Sequence, residues 1–155
     1  MTKNLSYFMR EQKEEIVNAP APESFKDENG NRLELEIRVL SSERIRKIQD
    51  SYRKRSIALD KSGNPYISGG EVVFQTEHDG NKALRHIMAE ALVFPDLKDK
   101  ELMDFYKCYD ISEMPYKVFF KPEEYNYVFR TVMTALGIMS GSPDTKEDPA
   151  EEAKN

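Results

Sequence analysis

Tryptophan is absent from this 155-residue chain, cysteine occurs once and histidine twice. A single thiol, Cys108, closes no internal disulfide. Burial alone has to hold the fold, and a chain of this length hides roughly two thirds of the surface it exposes unfolded, which is enough. His78 and His86 are too few and too far apart in sequence to assemble a metal site with Cys108, so no metal is expected. His86 and Glu90, one helical turn apart, read as a surface pair. Nowhere does an apolar run approach the roughly 18 residues of a membrane span, and Met1 to Arg10 lacks a basic segment leading into an apolar one, so a reducing cytoplasm is the expected compartment. Positive charge is also short: 23 Lys and Arg face 28 Asp and Glu, a net charge of −5, which argues against wholesale binding of a phosphate backbone.

Catalytic signatures are missing too. There is no nucleophile elbow, no Cys-His pattern and no phosphate-cradling loop ending in Lys-Ser or Lys-Thr. Gly63 and the Gly69-Gly70 pair read as turns. Cys108 reads as a small core residue. Neither an enzyme nor a cofactor is expected from these residues.

What is present is a succession of amphipathic segments. Residues 5 to 17 place Leu5, Phe8, Met9, Ile16 and Val17 near one side of a helix that should stop before the linker Asn18-Ala19-Pro20-Ala21-Pro22. Asn29-Gly30 suits a tight turn, and Leu33, Leu35, Ile37 and Val39 alternate with Glu34, Glu36 and Arg38 as in a strand with one face buried. Ser41 or Ser42 can cap a helix predicted over 43 to 57. Tyr66 to Gly70 is ambiguous, and Glu71 to Gln75 reads as a short strand or the approach to the next helix. From Thr76 or His78 to Val93, Leu84, Ile87, Met88, Ala91 and Leu92 recur at core-facing helical spacing. A helix led by Asp96 to Asp99, a shorter one after Ser112 and a final one opened by Pro122-Glu123-Glu124 and closed at Gly137 complete the series. Residues 140 to 155 are too polar to order themselves and read as a disordered acidic tail. The expectation is a mainly helical α+β fold: a small N-terminal antiparallel β element, then a bundle of four to five helices, in one domain over residues 1 to 139.

Two surfaces stand out as candidates for partners. Residues 103 to 133 concentrate methionine, tyrosine and phenylalanine beyond what a helical pair easily hides; Met103, Tyr106, Tyr109, Met114, Tyr116 and Phe119 are the candidate contacts. Helix 43 to 57 carries Arg46, Lys47, Arg53 and Lys54, spread over most of the arc left free by its apolar stripe, and reads as a solvated face or a steering surface for acidic partners. A nucleic-acid-binding regulator stays open as an alternative, as does self-association.

The order of segments carries a resemblance. Ser6-Tyr7-Phe8-Met9, Phe25-x-Asp27-Glu28-x-Gly30 and Glu36-Ile37-Arg38 before Ser41-Ser42-Glu43 form one half of it. Val93-Phe94-Pro95-Asp96-Leu97 with Glu101-Leu102, Asp104 and Tyr106, then Pro122-x-Glu124-Tyr125 and Leu136-Gly137-Ile138, form the other. Collinear over about residues 4 to 138, the set resembles the XkdN/YqbN-like tail assembly chaperones of contractile-tailed phages and defective prophages. The resemblance implies a non-enzymatic protein in the bacterial host cytoplasm, absent from the mature virion, that transiently binds tape measure protein and tail tube subunits, with a structural tail or neck component of the virion as the alternative. In that setting the segment near 103 to 120 would take an apolar helix face and helix 43 to 57 would steer acidic partners.

Overall fold

A computed structural model describes residues 3 to 139; the expected tail at 140 to 155 lies outside the described residues. Among the described residues the architecture is a mixed α+β fold with five α-helices and three small antiparallel sheets, more strand-rich than a helical bundle with one β element. The alternation at 33 to 39 gives β2, Glu34–Arg38, whose Leu35 and Ile37 point into the core. β1, Ile16–Pro20, and β7, Leu92–Phe94, flank it, so β2 is the central strand.

β1 overturns the predicted N-terminal helix and the Pro-rich linker behind it. Ile16 pairs with Arg38 and Pro20 with Glu34 along its whole length. Ile16 and Val17 are β-branched, and on an edge strand the missing N–H of Pro20 costs no ladder bond on its open side. Only Leu5–Phe8 remains helical, as one 3₁₀ turn capped by the Asn4 side chain.

Between β1 and β2 the chain folds a hairpin whose turn is built as the Asn-Gly pair suggested. The Asp27 carboxylate accepts the backbone N–H groups of Asn29 and Asn31 at 2.8 and 2.9 Å, and Gly30 adopts φ +82°. The Asn31 hydrogen bond holds the Asp27 carboxyl below its ordinary range. A Cβ at Gly30 meets no atom, so only the backbone conformation resists a side chain. Gly30→Ala is therefore expected to cost about 1–2 kcal/mol, read from the midpoint of urea unfolding at unchanged slope.

Helix α1, Ser42–Ser51, is capped as expected by Ser41, whose hydroxyl accepts from the Arg44 N–H at 3.1 Å. It ends at Ser51, six residues short of the predicted boundary, with Tyr52 as its C-cap. Arg53–Ile57 is a strand, β3, because it pairs residue for residue with β6, Phe74–His78. At the far end of this ribbon β4, Ile67–Ser68, and β5, Glu71–Val72, close a second hairpin through Gly69-Gly70. No residue from 53 to 78 is buried.

α2, Gly80–Ala91, starts later than predicted because Asp79 supplies the cap, accepting from the Lys82 N–H. It is the hub of the core, packed against α1, α4 (Met114–Val118) and α5 (Pro122–Ala135). Ile87, Met88 and Ala91 meet Leu35 and Ile37 of the sheet and Val128, Val132 and Met133 of α5. Each large side chain hidden here contributes about 1.5–3 kcal/mol. α3, Lys100–Tyr106, is capped by Asp99 and closed by Lys107 in a left-handed conformation at φ +52°. Pro122 opens α5 at the position where its missing N–H is harmless, and Gly137 follows its end at φ +77°.

Candidate partner-binding surface

The strongest candidate site is an apolar groove of about 210 Å³. One wall is the hairpin before β2, contributing Phe25 and Leu33. The second is α3, contributing Leu102 and Tyr106 one turn apart. Phe94 at the end of β7 and Phe119 just past α4 complete the lining, with Glu34 as a charged group on it. Phe25 and Phe119 meet edge to face at 5.7 Å between ring centroids, which fixes the floor. The groove is open at Phe94, which is 46% exposed; Phe105, 76% exposed and outside the lining, stands edge-on to Tyr106 at 4.9 Å.

Of the six aromatic and methionine candidates, the structure brings Tyr106 and Phe119 together in this groove. Met114 and Phe119 are buried at 0% and 1% exposure, so Met114 has no face to present and Phe119 shows only its groove side. Met103 is partly buried against the core. Tyr109 stands out in solvent and donates its hydroxyl to Asp104 at 2.8 Å, which pushes its pKa up. Tyr116 belongs to a different cluster: the Arg85 guanidinium lies over its ring at 4.7 Å and donates to its hydroxyl, and Tyr125 packs against it at 4.8 Å. Burial and the neighbouring Tyr116 push the Tyr125 hydroxyl up to about 12. Phe94, Leu102, Phe25 and Phe105 were not among the candidates. Their signal is faint, since they come from three separate segments, the hairpin, β7 and α3, and each reads singly as core or loop.

The basic candidates are divided. Arg46 and Lys47 are exposed on α1, whereas Arg53 and Lys54 lie on the ribbon, in a strand where a helix was expected. Strand alternation puts Arg53 and Lys54 on opposite faces. Acids hold several of these bases: Lys47 pairs with Glu43 at 3.6 Å, Arg53 with Asp50 at 3.4 Å, and Lys54 stands opposite Glu77 in register. Such exposed pairs are worth little in stability, but they cancel the local field that a nucleic-acid surface needs. Arg55 lies 4.1 Å over the Phe74 ring.

His86 is not half of a surface pair with Glu90. Its Nδ1 lies 2.7 Å from the Tyr52 hydroxyl, while Glu90 binds Arg44 at 2.9 Å and Lys98 at 3.4 Å, tying α1 and the loop before α3 to α2. Burial pushes the Glu90 carboxyl up, but Arg44 and Lys98 outweigh it and hold it below its usual value. Burial also lowers the pKa of His86, which favours the neutral ring at pH 7, and in the Nε2–H tautomer of that ring Nδ1 accepts from the Tyr52 hydroxyl. An imidazole depressed in the folded state favours folding above its unfolded pKa of about 6.5, and that contribution is lost as pH falls toward the folded value. Tyr52→Phe removes the donor that favours the neutral ring, so the His86 midpoint in a proton NMR titration should rise; an unmoved midpoint would show that the hydroxyl does not serve the ring.

Among the described residues no group of three or more His, Cys, Asp or Glu converges as a metal site, and no helix is long and apolar enough to cross a membrane. Cys108 is buried, with its Sγ 3.6 Å from the Asp110 carbonyl oxygen. A second cleft, of about 480 Å³ between Pro22 and α5, is lined by Arg32, Lys121, Glu123 and Glu124 and holds neither histidine nor cysteine.

An apolar groove without reactive groups sets the frame for what the chain is similar to. The family model described as phage XkdN-like tail assembly chaperone protein matches residues 5–154. The chain belongs to this family. Two relatives from Bacillus subtilis strain 168 span nearly its full length: the phage-like element PBSX protein XkdN, 24% identical over 98% of this chain and 94% of its own, and the uncharacterized protein YqbN, 27% identical over 98% and 93%. The crystal structure of YqbN superposes with a TM-score of 0.66 at 22% identity, covering 88% of this chain and 98% of that one, so the two share the fold. Membership of this XkdN-like family implies partners among phage tail proteins.

Proposed function

We propose that this chain is a non-enzymatic chaperone of phage tail assembly that transiently holds amphipathic helices of the tape measure protein and helps tail tube subunits assemble around it. It acts in the host cytoplasm and is absent from the finished particle. The groove between the hairpin, β7 and α3 carries this reading: it is apolar, and half-exposed Phe94 stands on its lining. A client helix would lay one or two large side chains into it at i, i+3 or i+4 spacing and set a Lys or Arg beside Glu34. Burying each such side chain is worth about 1.5–3 kcal/mol before the cost of association, which yields the weak, reversible grip that a protein meant to leave requires.

Membership of the tail assembly chaperone family supports the partner class. Co-expression with the tape measure protein should raise that protein's soluble yield and bring both down together. No gain and no co-purification would contradict the proposal, and so would stoichiometric amounts of this chain in purified particles.

A further inference from the structure

The N-terminal turn carries an unspent apolar surface. Leu5, Tyr7, Phe8 and Met9 are 73% to 85% exposed, although the turn is formed and capped by Asn4. Residues 10 to 13 lead from it to two anchors on the body: Glu14 pairs with Arg38, and the Val39 N–H donates to the Glu15 carbonyl oxygen at 2.9 Å. A cleft of about 1230 Å³ separates this arm from residues 39 to 43 and Leu136, so the arm does not pack on its own body.

We propose that the Leu5–Met9 segment of one copy occupies the apolar groove of a second copy, and that reciprocal exchange of arms closes a symmetric dimer. The inference rests on the groove being the docking site proposed above. Three observations select this occupant. The arm leaves the sheet beside Arg38, whereas the groove opens at the other end, beside Ala21 and Glu34. From Glu15 to Ala21 the strand runs about 20 Å, which Phe8, six residues from Glu14, spans only with the arm fully extended back along the sheet, whereas the structure holds the arm across the cleft from residues 39 to 43, away from its own groove. A second copy imposes no such limit. Charge also agrees: Arg10, directly after the apolar segment, meets Glu34 on the lining when Phe8 and Met9 enter the groove. A dimer of this kind hides in the free protein the surface that the client needs, so client and arm compete.

Sedimentation of the full chain at micromolar concentration should give a dimer. Phe8→Asp and Phe94→Asp, acting on the arm and the groove respectively, should each weaken self-association by about 10- to 100-fold per severed contact. Mixing the two variants should recover a heterodimer in part, because an intact arm then meets an intact groove once. In a Cys108→Ala background, Phe8→Cys with Phe94→Cys should yield a disulfide-linked dimer under oxidation. A monomeric wild-type chain, a dimer that survives either aspartate, or a cross-link confined within one chain would overturn the proposal. Co-purification with the tape measure protein separates this from the client reading. A monomer that still binds client sinks only the arm exchange, and an arm-exchanged dimer that never binds client sinks only the client reading.

Discussion

Phe119→Ala is expected to lower the free energy of unfolding by about 3–5 kcal/mol, a large share of the stability of a domain this size. The ring is 1% exposed, ends α4 and meets Phe25 edge to face at 5.7 Å, so truncation opens a void under both the groove and the core. Tyr109→Ala, by contrast, removes a 70% exposed ring bonded only to Asp104 and should change stability by no more than about 0.5 kcal/mol. Paired urea melts of the two variants read the difference directly. Equal, small losses would mean that Phe119 does not hold the groove floor.

Phe94→Asp should weaken binding of a tape measure helix by about 100-fold, with a change in stability under about 1 kcal/mol. The side chain is half exposed, so the fold gives up little, yet a carboxylate at the rim places an unpaired charge where the client's apolar side chains must dock, close to Glu34 on the same lining. Titration calorimetry with a synthetic amphipathic segment checks the first number and a denaturant melt the second. Neutralising Arg46 and Lys47 should leave that affinity nearly unchanged at physiological salt, since Lys47 is already paired with Glu43 on an exposed helix face.

The parts of the fold that could be read from sequence are those in which one local rule decides the outcome. Leu35 and Ile37 alternate with charges because β2 has one buried face, Ser41 and Pro122 mark helix starts through their own backbone chemistry, and Gly30 fits a turn that needs positive φ. The errors fall where distant pairing outvotes local pattern. Ile16 and Val17 read as the end of a helix with a Pro-rich linker behind them, and Arg53 to Ile57 as the end of another helix, but the stretches 16 to 20 and 53 to 57 each find an antiparallel partner, at 34 to 38 and 74 to 78. The second of these pairings broke the expected basic helix in two.

The groove was legible only in part for a related reason. Tyr106 and Phe119 were recognisable as aromatic candidates within a dense segment, but their neighbours Phe25, Leu33 and Phe94 arrive from a hairpin and a short strand far away in sequence. Met114 illustrates the reverse: a methionine in the same dense segment is spent entirely on the core.

Methyl-detected NMR of the chain during addition of an amphipathic tape measure segment tests the central claim most directly. The account predicts saturable shifts at Leu33, Leu35, Leu102 and Val118, which line the groove, larger than those at Val128 and Val132, which are buried in the core off the lining. Shifts confined to the ribbon methyls of Ile57, Ile67 and Val72, or none at concentrations that keep the client soluble, would contradict it.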